Sequence, residues 1–293
     1  MLRSKVQWNA LGIVALALAA VALAVGTMGA GGERGRDVAP EQGKAGGQGP
    51  VVVELFTSQG CSSCPPADRL LSRLKRDPRM AGTVIPLAFH VDYWNHLGWS
   101  DPFSSSLWSQ RQSNYAHAFR SNRVYTPQLV VNGRTECVGS EEAEVMRRIR
   151  EALAAGPAGV VSLAAPGAAG GGDARLTVTA RLLRPVPGSG VDVWVALTES
   201  GLSTAVGAGE NAAATLHNDQ VVRRLVKAFT LPSTATAAGT AGATGTAGEA
   251  RSAEVTLPID GKWNRAALDV VAFLQDPQSL AIYGAASRPL AAR

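Results

Sequence analysis

Two cysteines stand between a buried-strand pattern and a helix pattern, and this arrangement constrains the fold more than any other feature of the sequence. Residues 51–56 form an apolar, β-rich run that predicts a buried strand. Residues 57–60 predict a turn, and residues 67–75 have helical spacing of their leucines. Cys61 and Cys64 therefore fall where a strand gives way to a helix.

This position predicts a redox-active pair. A thiolate at a helix N-terminus lies near free backbone N–H groups and the positive end of the helix dipole, which lower its pKa. We therefore expect Cys61 to be the exposed nucleophile and Cys64 to be the shielded thiol that resolves a mixed disulfide. The alternative is a structural disulfide, which is common in exported proteins.

A proline that opens a later strand supplies the second part of the predicted site. Residues 124–130 read Val-Tyr-Thr-Pro-Gln-Leu-Val, so Pro127 removes one donor from a strand ladder. We expect a cis bond between Thr126 and Pro127, with the preceding backbone kept free to pair with a substrate beside Cys61. An ordinary trans turn proline is the alternative.

The N-terminus predicts export. Arg3 and Lys5 precede an apolar run from about residue 10 to 25, the order found in secretory signals. We therefore expect residues 1–30 to be a signal peptide or an uncleaved membrane anchor, and the remainder to be periplasmic or secreted. The Gly-rich residues 31–49 predict a flexible linker.

Two domains are predicted beyond the linker. Residues 50–157 show the order strand, helix, strand, insert, hairpin and helix, which predicts a mixed sheet with helices on its faces. The hairpin turns at Asn132-Gly133, and the last helix spans about residues 140–155. Residues 158–293 read as strands separated by Pro and Gly turns, which predicts an all-β sandwich-like domain, with a disordered Ala/Thr/Gly loop at 233–248.

Residues 54–68, Glu-Leu-Phe-Thr-Ser-Gln-Gly-Cys-Ser-Ser-Cys-Pro-Pro-Ala-Asp, resemble the hallmark of a family of bacterial secreted proteins with a thioredoxin-like fold, domain of unknown function 1223. Residues 89–94, 97–102, 125–128 and 209–211 also resemble that family. The resemblance covers about residues 50–290. It implies an α/β thioredoxin-like domain and, by the family's own name, no assigned activity.

The sequence departs from thioredoxin itself at several points. Gly60, not tryptophan, precedes Cys61, and an aromatic-rich insert occupies residues 92–123. Thioredoxins place a buried carboxylate on the strand before the motif. Glu54 is the nearest candidate for such a proton-transfer group, although strand alternation could turn it to the wrong face.

Three other features leave two interpretations each. The insert could line a cleft beside Cys61 or form a satellite core under a long loop. His90, at the end of a predicted strand, could be a core histidine or could polarise a thiol. Cys137, on the second strand of the hairpin, is expected to be a buried inert thiol, with a third redox partner as the alternative.

These patterns predict an exported thiol–disulfide oxidoreductase that acts on protein or small-molecule thiols and disulfides and needs no cofactor. The alternatives are a non-catalytic binding protein with a structural disulfide, and a copper-binding protein with Cys61, Cys64 and His90 as ligands. The net charge of +5 is scattered, so no nucleic-acid partner is expected. With three cysteines in the chain, no zinc ribbon is expected either.

Overall fold

The computed structural model describes residues 49–164, 167–168, 172–233 and 248–290. The predicted signal or anchor at 1–30 lies outside the described residues, as do nearly all of the predicted linker and of the loop at 233–248. Within the described ranges, no helix has the length and apolar character needed to cross a membrane.

The chain begins with a strand–helix–strand unit. Strand β1 (Val51–Thr57) is buried along its whole length, which agrees with its continuous apolar run. Helix α1 (Pro65–Arg76) follows, and strand β2 (Val84–His90) then pairs in parallel with β1. Because the strands are parallel and paired from Val51↔Val84 to Thr57↔His90, both end at the same edge of the sheet.

The insert and the hairpin complete the first half. Helix α2 (Ser106–Ala118) lies within the insert, and strands β3 (Gln128–Val131) and β4 (Thr135–Val138) form the predicted hairpin. Its turn contains Asn132 and Gly133, both with positive φ, as this turn chemistry requires. Helix α3 (Glu142–Ala155) follows, and β3 runs antiparallel to β1.

The second half of the described chain is built almost wholly of strands. These are β5 (Gly159–Leu163), β6 (Gly167–Ala168), β7 (Ala174–Leu182), β8 (Gly190–Glu199), β9 (Leu202–Ala205), β10 (Thr215–Asn218), β11 (Val221–Pro232), β12 (Arg251–Leu257), β13 (Leu268–Gln275) and β14 (Ile282–Pro289). Short 3-10 turns occur at Asn95–Leu97 and Arg265–Ala267.

Strands from both predicted domains form one eight-stranded mixed sheet, in the order β14-β13-β8-β11-β2-β1-β3-β4. The two halves meet where β11 pairs in parallel with β2, through the single register pair Val221↔Ala88. A second sheet, β12-β7-β5 with β6 beside β7, packs on β8, β11 and β13 through a shared apolar core. The fold is therefore mixed α/β with one large mixed sheet and few helices.

The sequence predicts two successive domains, whereas the structure joins strands of both into one sheet. Two sheets do face each other in the second half, but one of them continues into the cysteine-bearing half. The reason is the β11–β2 pairing, a long-range contact that no local pattern in the sequence signals. The division after residue 157 stays a prediction.

The two faces of β1 contact different helices. Val53 and Leu55 pack in a core with residues of α1 and α3, whereas Val52 and Phe56 pack with residues of α2. Alternation along β1 therefore decides on which side of the sheet each of its side chains acts.

Candidate functional site

Cys61 and Cys64 form a disulfide at the start of α1. Their Cα atoms are 5.4 Å apart, Cys64 is the N-cap residue, and prolines 65 and 66 occupy the first helical positions. Both cysteines are 0 % exposed, whereas Ser62 and Ser63 between them are exposed. The expectation of an exposed Cys61 is therefore wrong for the disulfide form, because other segments of the chain cover it.

One covering segment is the turn that precedes β3. The sulfur of Cys61 lies 3.3 Å from the hydroxyl of Ser63 and 3.9 Å from the carbonyl oxygen of Thr126. The indole N–H of Trp94 donates to the Thr126 hydroxyl at 2.8 Å, so the insert holds this turn in place. The peptide bond between Thr126 and Pro127 is cis, as predicted.

Gln59 connects the cysteine turn to three other parts of the chain. It is buried, and its backbone N–H donates to Asp101 at 2.8 Å. Its side-chain amide donates to Asn218 at 3.0 Å and accepts from Trp99 at 3.2 Å. Its carbonyl accepts from the side chain of Asn211 at 2.9 Å. The turn before Cys61 is therefore fixed by the insert and by the β9–β10 hairpin together.

The loop between β9 and β10 is the second covering segment. The amide of Asn211 also donates to the carbonyl of Cys61 at 2.9 Å, and the carboxylate of Glu210 accepts from the backbone N–H of Ser62 at 2.8 Å. A Cβ atom at Gly207 or Gly209 would lie 3.2 Å from Trp99, so glycine at both positions lets the loop approach this ring closely.

A buried cluster of titratable groups lies on the α1 side of the sheet. Thr57 and His90 are register partners at the ends of β1 and β2. Asp68 stands four residues after Cys64, on the same side of α1. Nδ1 of His90 lies 2.7 Å from Asp101 Oδ2, and both of these side chains are fully buried.

Burial and neighbouring charges shift the protonation of this cluster. Burial raises the pKa of Asp68 to about 6, against the opposing effect of His90. Burial lowers the pKa of His90, but the carboxylates of Asp101 and Asp68 raise it, and the net shift is upward. Among the described residues, neither His90 Nε2 nor Thr57 Oγ1 reaches hydrogen-bond geometry with a partner, although the Thr57 side chain acts on Asp68 and lowers its pKa. The cluster can therefore exchange a proton near neutral pH.

Glu54 lies on the other side of the sheet. It is buried, and its carboxylate accepts two hydrogen bonds from Arg111, at 2.6 and 3.0 Å, and one from the Tyr115 hydroxyl at 2.6 Å. Arg111 and Tyr115 belong to α2, so Glu54 faces away from α1 and the cysteines. Strand alternation does turn it to the face that the sequence analysis considered wrong for a proton-transfer role.

Cys137 takes no part in the disulfide. It is a free thiol in the core that β4 shares with α1 and α3. Burial raises its pKa to about 11, so it is protonated and unreactive at neutral pH.

The structure thus brings together four of the five predicted site residues: Cys61, Cys64, Thr126 and Pro127. Sequence reasoning missed Asp68, Glu210 and Asn211 as site residues, although all three lie in segments with the family resemblance. Asp68 had a local signal, its spacing of four residues from Cys64. Glu210 and Asn211 had none, because they contact the site from about 150 residues away in the sequence.

Part of the insert packs as core and part of it lies beside the cysteine site, so each of the two interpretations holds for some of its residues. Trp108 and Tyr115 belong to the apolar core on the α2 side, whereas Trp94 and Trp99 hydrogen-bond to the cysteine site. No group of three or more His, Cys, Asp or Glu side chains within the described ranges is arranged to hold a metal ion. His90 is instead engaged by Asp101.

Solved structures of similar fold span most of this chain. A crystal structure of a protein from Agrobacterium tumefaciens has 25 % identity and a TM-score of 0.59, and the match covers 86 % of this chain and 98 % of that one. The structure titled HBP35 of Porphyromonas gingivalis has 16 % identity and a TM-score of 0.57, covering 84 % of this chain and 77 % of that one, and shows likeness of fold alone.

Sequence comparison gives a family but no characterised relative. No curated protein matches the sequence significantly. The profile of a family described as Protein of unknown function (DUF1223) matches residues 52–275, most of the chain and all of the site described above. The chain therefore belongs to the DUF1223 family.

Proposed function

We propose that this protein is a thiol–disulfide oxidoreductase that uses Cys61 and Cys64 on protein or small-molecule thiols and disulfides. The observation that carries the proposal is the disulfide itself, formed directly before the first turn of α1 at the edge where β1 and β2 end. Edges where parallel strands end and helices begin are common sites of chemistry in α/β proteins.

The surrounding topology supports a thioredoxin-like interpretation of the first half. The strand order β2-β1-β3-β4, with β1 and β2 parallel and β3 antiparallel, agrees with the mixed sheet expected from the sequence. Helices α1 and α3 pack on one face and α2 on the other. Thr126 and Pro127 then stand directly beside Cys61.

The reaction proceeds in two exchanges. In the dithiol form, the Cys61 thiolate attacks one sulfur of a substrate disulfide, forms a mixed disulfide and releases the other substrate sulfur as a thiolate. The Cys64 thiolate then attacks the Cys61 sulfur and releases the second substrate thiolate. Two electrons and two protons pass to the substrate. The same steps in reverse oxidise a substrate dithiol.

The buried cluster supports the second exchange. Cys64 must lose its proton before it attacks, and Asp68 lies one helical turn away. Because the pKa of Asp68 is raised to about 6, this carboxyl can accept a proton and return it at neutral pH.

Substitution of each cysteine in turn tests the proposal. We expect C64S to accumulate mixed disulfides through Cys61, because the resolving thiol is gone, whereas C61S should accumulate none. C137S is the matched control and should behave as wild type, because its thiol is buried and protonated. The readout is a non-reducing gel of acid-quenched protein. Equal adduct levels in C61S and C64S would contradict the assigned roles.

Complete burial of both sulfurs favours a second candidate, a binding protein stabilised by a structural disulfide. A reductant must reach a sulfur that the Thr126 turn and the Asn211 loop cover. Titration against glutathione separates the two, since structural disulfides have potentials below about −300 mV and catalytic pairs lie higher.

We also propose that the protein acts outside the cytoplasm, either released or tethered through residues 1–30. The charged-then-apolar N-terminal sequence supports this location, and so does a disulfide, which persists in oxidising compartments. Fractionation of cells that express the full chain, with alkylation of free thiols during lysis, tests the location and the oxidation state together.

A further inference from the structure

The start of α1 offers little stabilisation to a Cys61 thiolate. Pro65 and Pro66 have no N–H groups, and the N–H groups of Ala67 and Asp68 both donate to the carbonyl of Cys64. The expected set of free donors at this helix N-terminus is therefore mostly used or missing. The Ser63 hydroxyl lies 3.3 Å from the Cys61 sulfur.

The β9–β10 loop adds a negative charge at the same place. The Glu210 carboxylate accepts the backbone N–H of Ser62 at 2.8 Å, and Ser62 directly follows Cys61. This hydrogen bond lowers the pKa of Glu210, so the carboxylate is ionised at neutral pH. Asn211 fixes the position of the loop by donating to the Cys61 and Gln59 carbonyls.

No basic side chain within the described ranges pairs with the Glu210 carboxylate. Among the described residues, no lysine or arginine forms a hydrogen bond or ion pair with residues 58–64. The first five residues of α1 carry Asp68 and exposed Arg69, and the His90–Asp101 pair lies on the buried side. Arg73, Lys75 and Arg76 belong to the last turn of the helix. Glu210 is thus the charge that a thiolate at Cys61 meets on the solvent side.

We propose that Glu210 makes the Cys61–Cys64 pair a reductant. A thiolate at Cys61 forms only in the reduced protein, and a neighbouring carboxylate disfavours it. The disulfide, which carries no charge, is not disfavoured. Glu210 therefore shifts the equilibrium toward the disulfide form, and electrons flow from this protein to its substrate.

The inference rests on the proposed function and adds its direction. The protein dithiol reacts with a substrate disulfide to give the protein disulfide and two substrate thiols, with transfer of two electrons and two protons. Each cycle then requires a dithiol donor that returns two electrons to the Cys61–Cys64 disulfide. The substrate class is consequently a disulfide-bearing protein or small molecule with a more positive potential.

The variant E210Q tests this step, because glutamine keeps an oxygen that can accept the Ser62 N–H while the charge is removed. We expect the equilibrium with glutathione to move about tenfold toward the dithiol form, a shift of about 30 mV to more positive potential. E254Q, which removes an exposed carboxylate from β12, is the matched control and should not move the equilibrium.

Ionic strength distinguishes an electrostatic effect from a structural one. The Glu210 carboxylate is exposed, so the difference between E210Q and wild type should shrink in 1 M salt, where the Debye length is about 3 Å. The independent variant S62K places a positive charge at an exposed position beside Cys61 and should shift the equilibrium in the same direction as E210Q.

The outcomes separate the two proposals. A wild-type pair that titrates normally, with E210Q within twofold of it or with a shift that salt leaves unchanged, would overturn the role of Glu210 alone. A wild-type disulfide that glutathione does not reduce, with a potential below about −300 mV, would overturn the oxidoreductase function as well.

Discussion

Two buried carboxylates lie near β1, one on each face of the sheet, and their surroundings differ sharply. Glu54 is held by Arg111 and Tyr115, and Gln275 joins both of these residues, accepting from Arg111 at 3.2 Å and donating to the Tyr115 hydroxyl at 2.9 Å. Asp68 lies instead in the cluster where, among the described residues, neither a histidine nitrogen nor a threonine hydroxyl reaches hydrogen-bond geometry with a partner.

The two surroundings give buried polar groups different roles, one in structure and one in proton exchange. A fully connected ion pair fixes structure, because neither partner can change its charge without a large loss of stability. A partly satisfied cluster can change its protonation at modest cost, and such clusters mark candidate functional sites. By this criterion the polar centre on the α2 side is structural, and the one on the α1 side is the candidate for the proposed chemistry.

The largest expected effect is on the α2 side. R111M leaves Glu54 buried without its partner, and we expect the free energy of unfolding to fall by about 3–5 kcal/mol. The measurement is urea denaturation at pH 7. The double variant E54M/R111M replaces the whole pair by apolar side chains and should recover most of the loss. A loss below 1 kcal/mol in R111M would contradict the structural role.

A smaller, pH-dependent effect is expected on the α1 side. The pKa of Asp68 is raised from 3.8 to about 6 in the folded protein, so ionisation of Asp68 reduces stability as pH rises through this window. D68N removes that penalty. We expect D68N to match wild type near pH 4 and to be more stable by about 1–3 kcal/mol at pH 7.

The matching measurement is the free energy of unfolding of both proteins across pH 4–8. Curves that stay parallel over this range would show that Asp68 does not titrate in the window. If Asp68 also accepts the proton of Cys64, D68N should slow release of the mixed disulfide although it stabilises the fold. A purely structural carboxylate would instead lose stability on substitution and leave the rate of release unchanged.

The smallest effect concerns the hydroxyl of Thr57. This hydroxyl acts on Asp68 but does not reach hydrogen-bond geometry with any residue in the described part of the chain, so T57V should change the free energy of unfolding by about 0.5 kcal/mol or less. Y115F is the matched variant on the other face. It removes hydrogen bonds to Glu54 and Gln275 and should cost about 1–3 kcal/mol. Equal losses of free energy of unfolding in T57V and Y115F would contradict the difference proposed between the two polar centres.

Local patterns predicted the elements of the first half well. The helix expected at 67–75 spans Pro65–Arg76, and the strand expected at 51–56 spans Val51–Thr57. Their patterns are set by nearby residues: apolar spacing, prolines in the first helical turn and the Asn132-Gly133 turn. Strand β14 is harder to place from local pattern, because its sequence carries many small and polar residues and its partner β13 is identified only by the tertiary pairing.

The site was predictable only where a residue carries a signal in its own local sequence. Cys61, Cys64, Thr126 and Pro127 each carry a local signal. The position of Glu54 depends on the alternation of β1, and a single residue of register decides the face. Glu210 and Asn211 depend on the β9–β10 loop reaching the cysteine turn, a tertiary contact that no periodicity encodes.

The hydrogen bonds from Asn211 to the cysteine turn can form only after Asn211 has been synthesised. Asn211 follows Cys61 by 150 residues. At about 5–20 residues per second, a ribosome needs about 8–30 s to add that stretch of chain. Residues 51–138, which include β1 to β4 and both cysteines, are complete well before then. A newly made chain therefore passes through an interval in which Cys61, Cys64 and the Thr126 turn have been made but the β9–β10 loop has not, and oxidants and other thiols have easier access to both sulfurs during that interval.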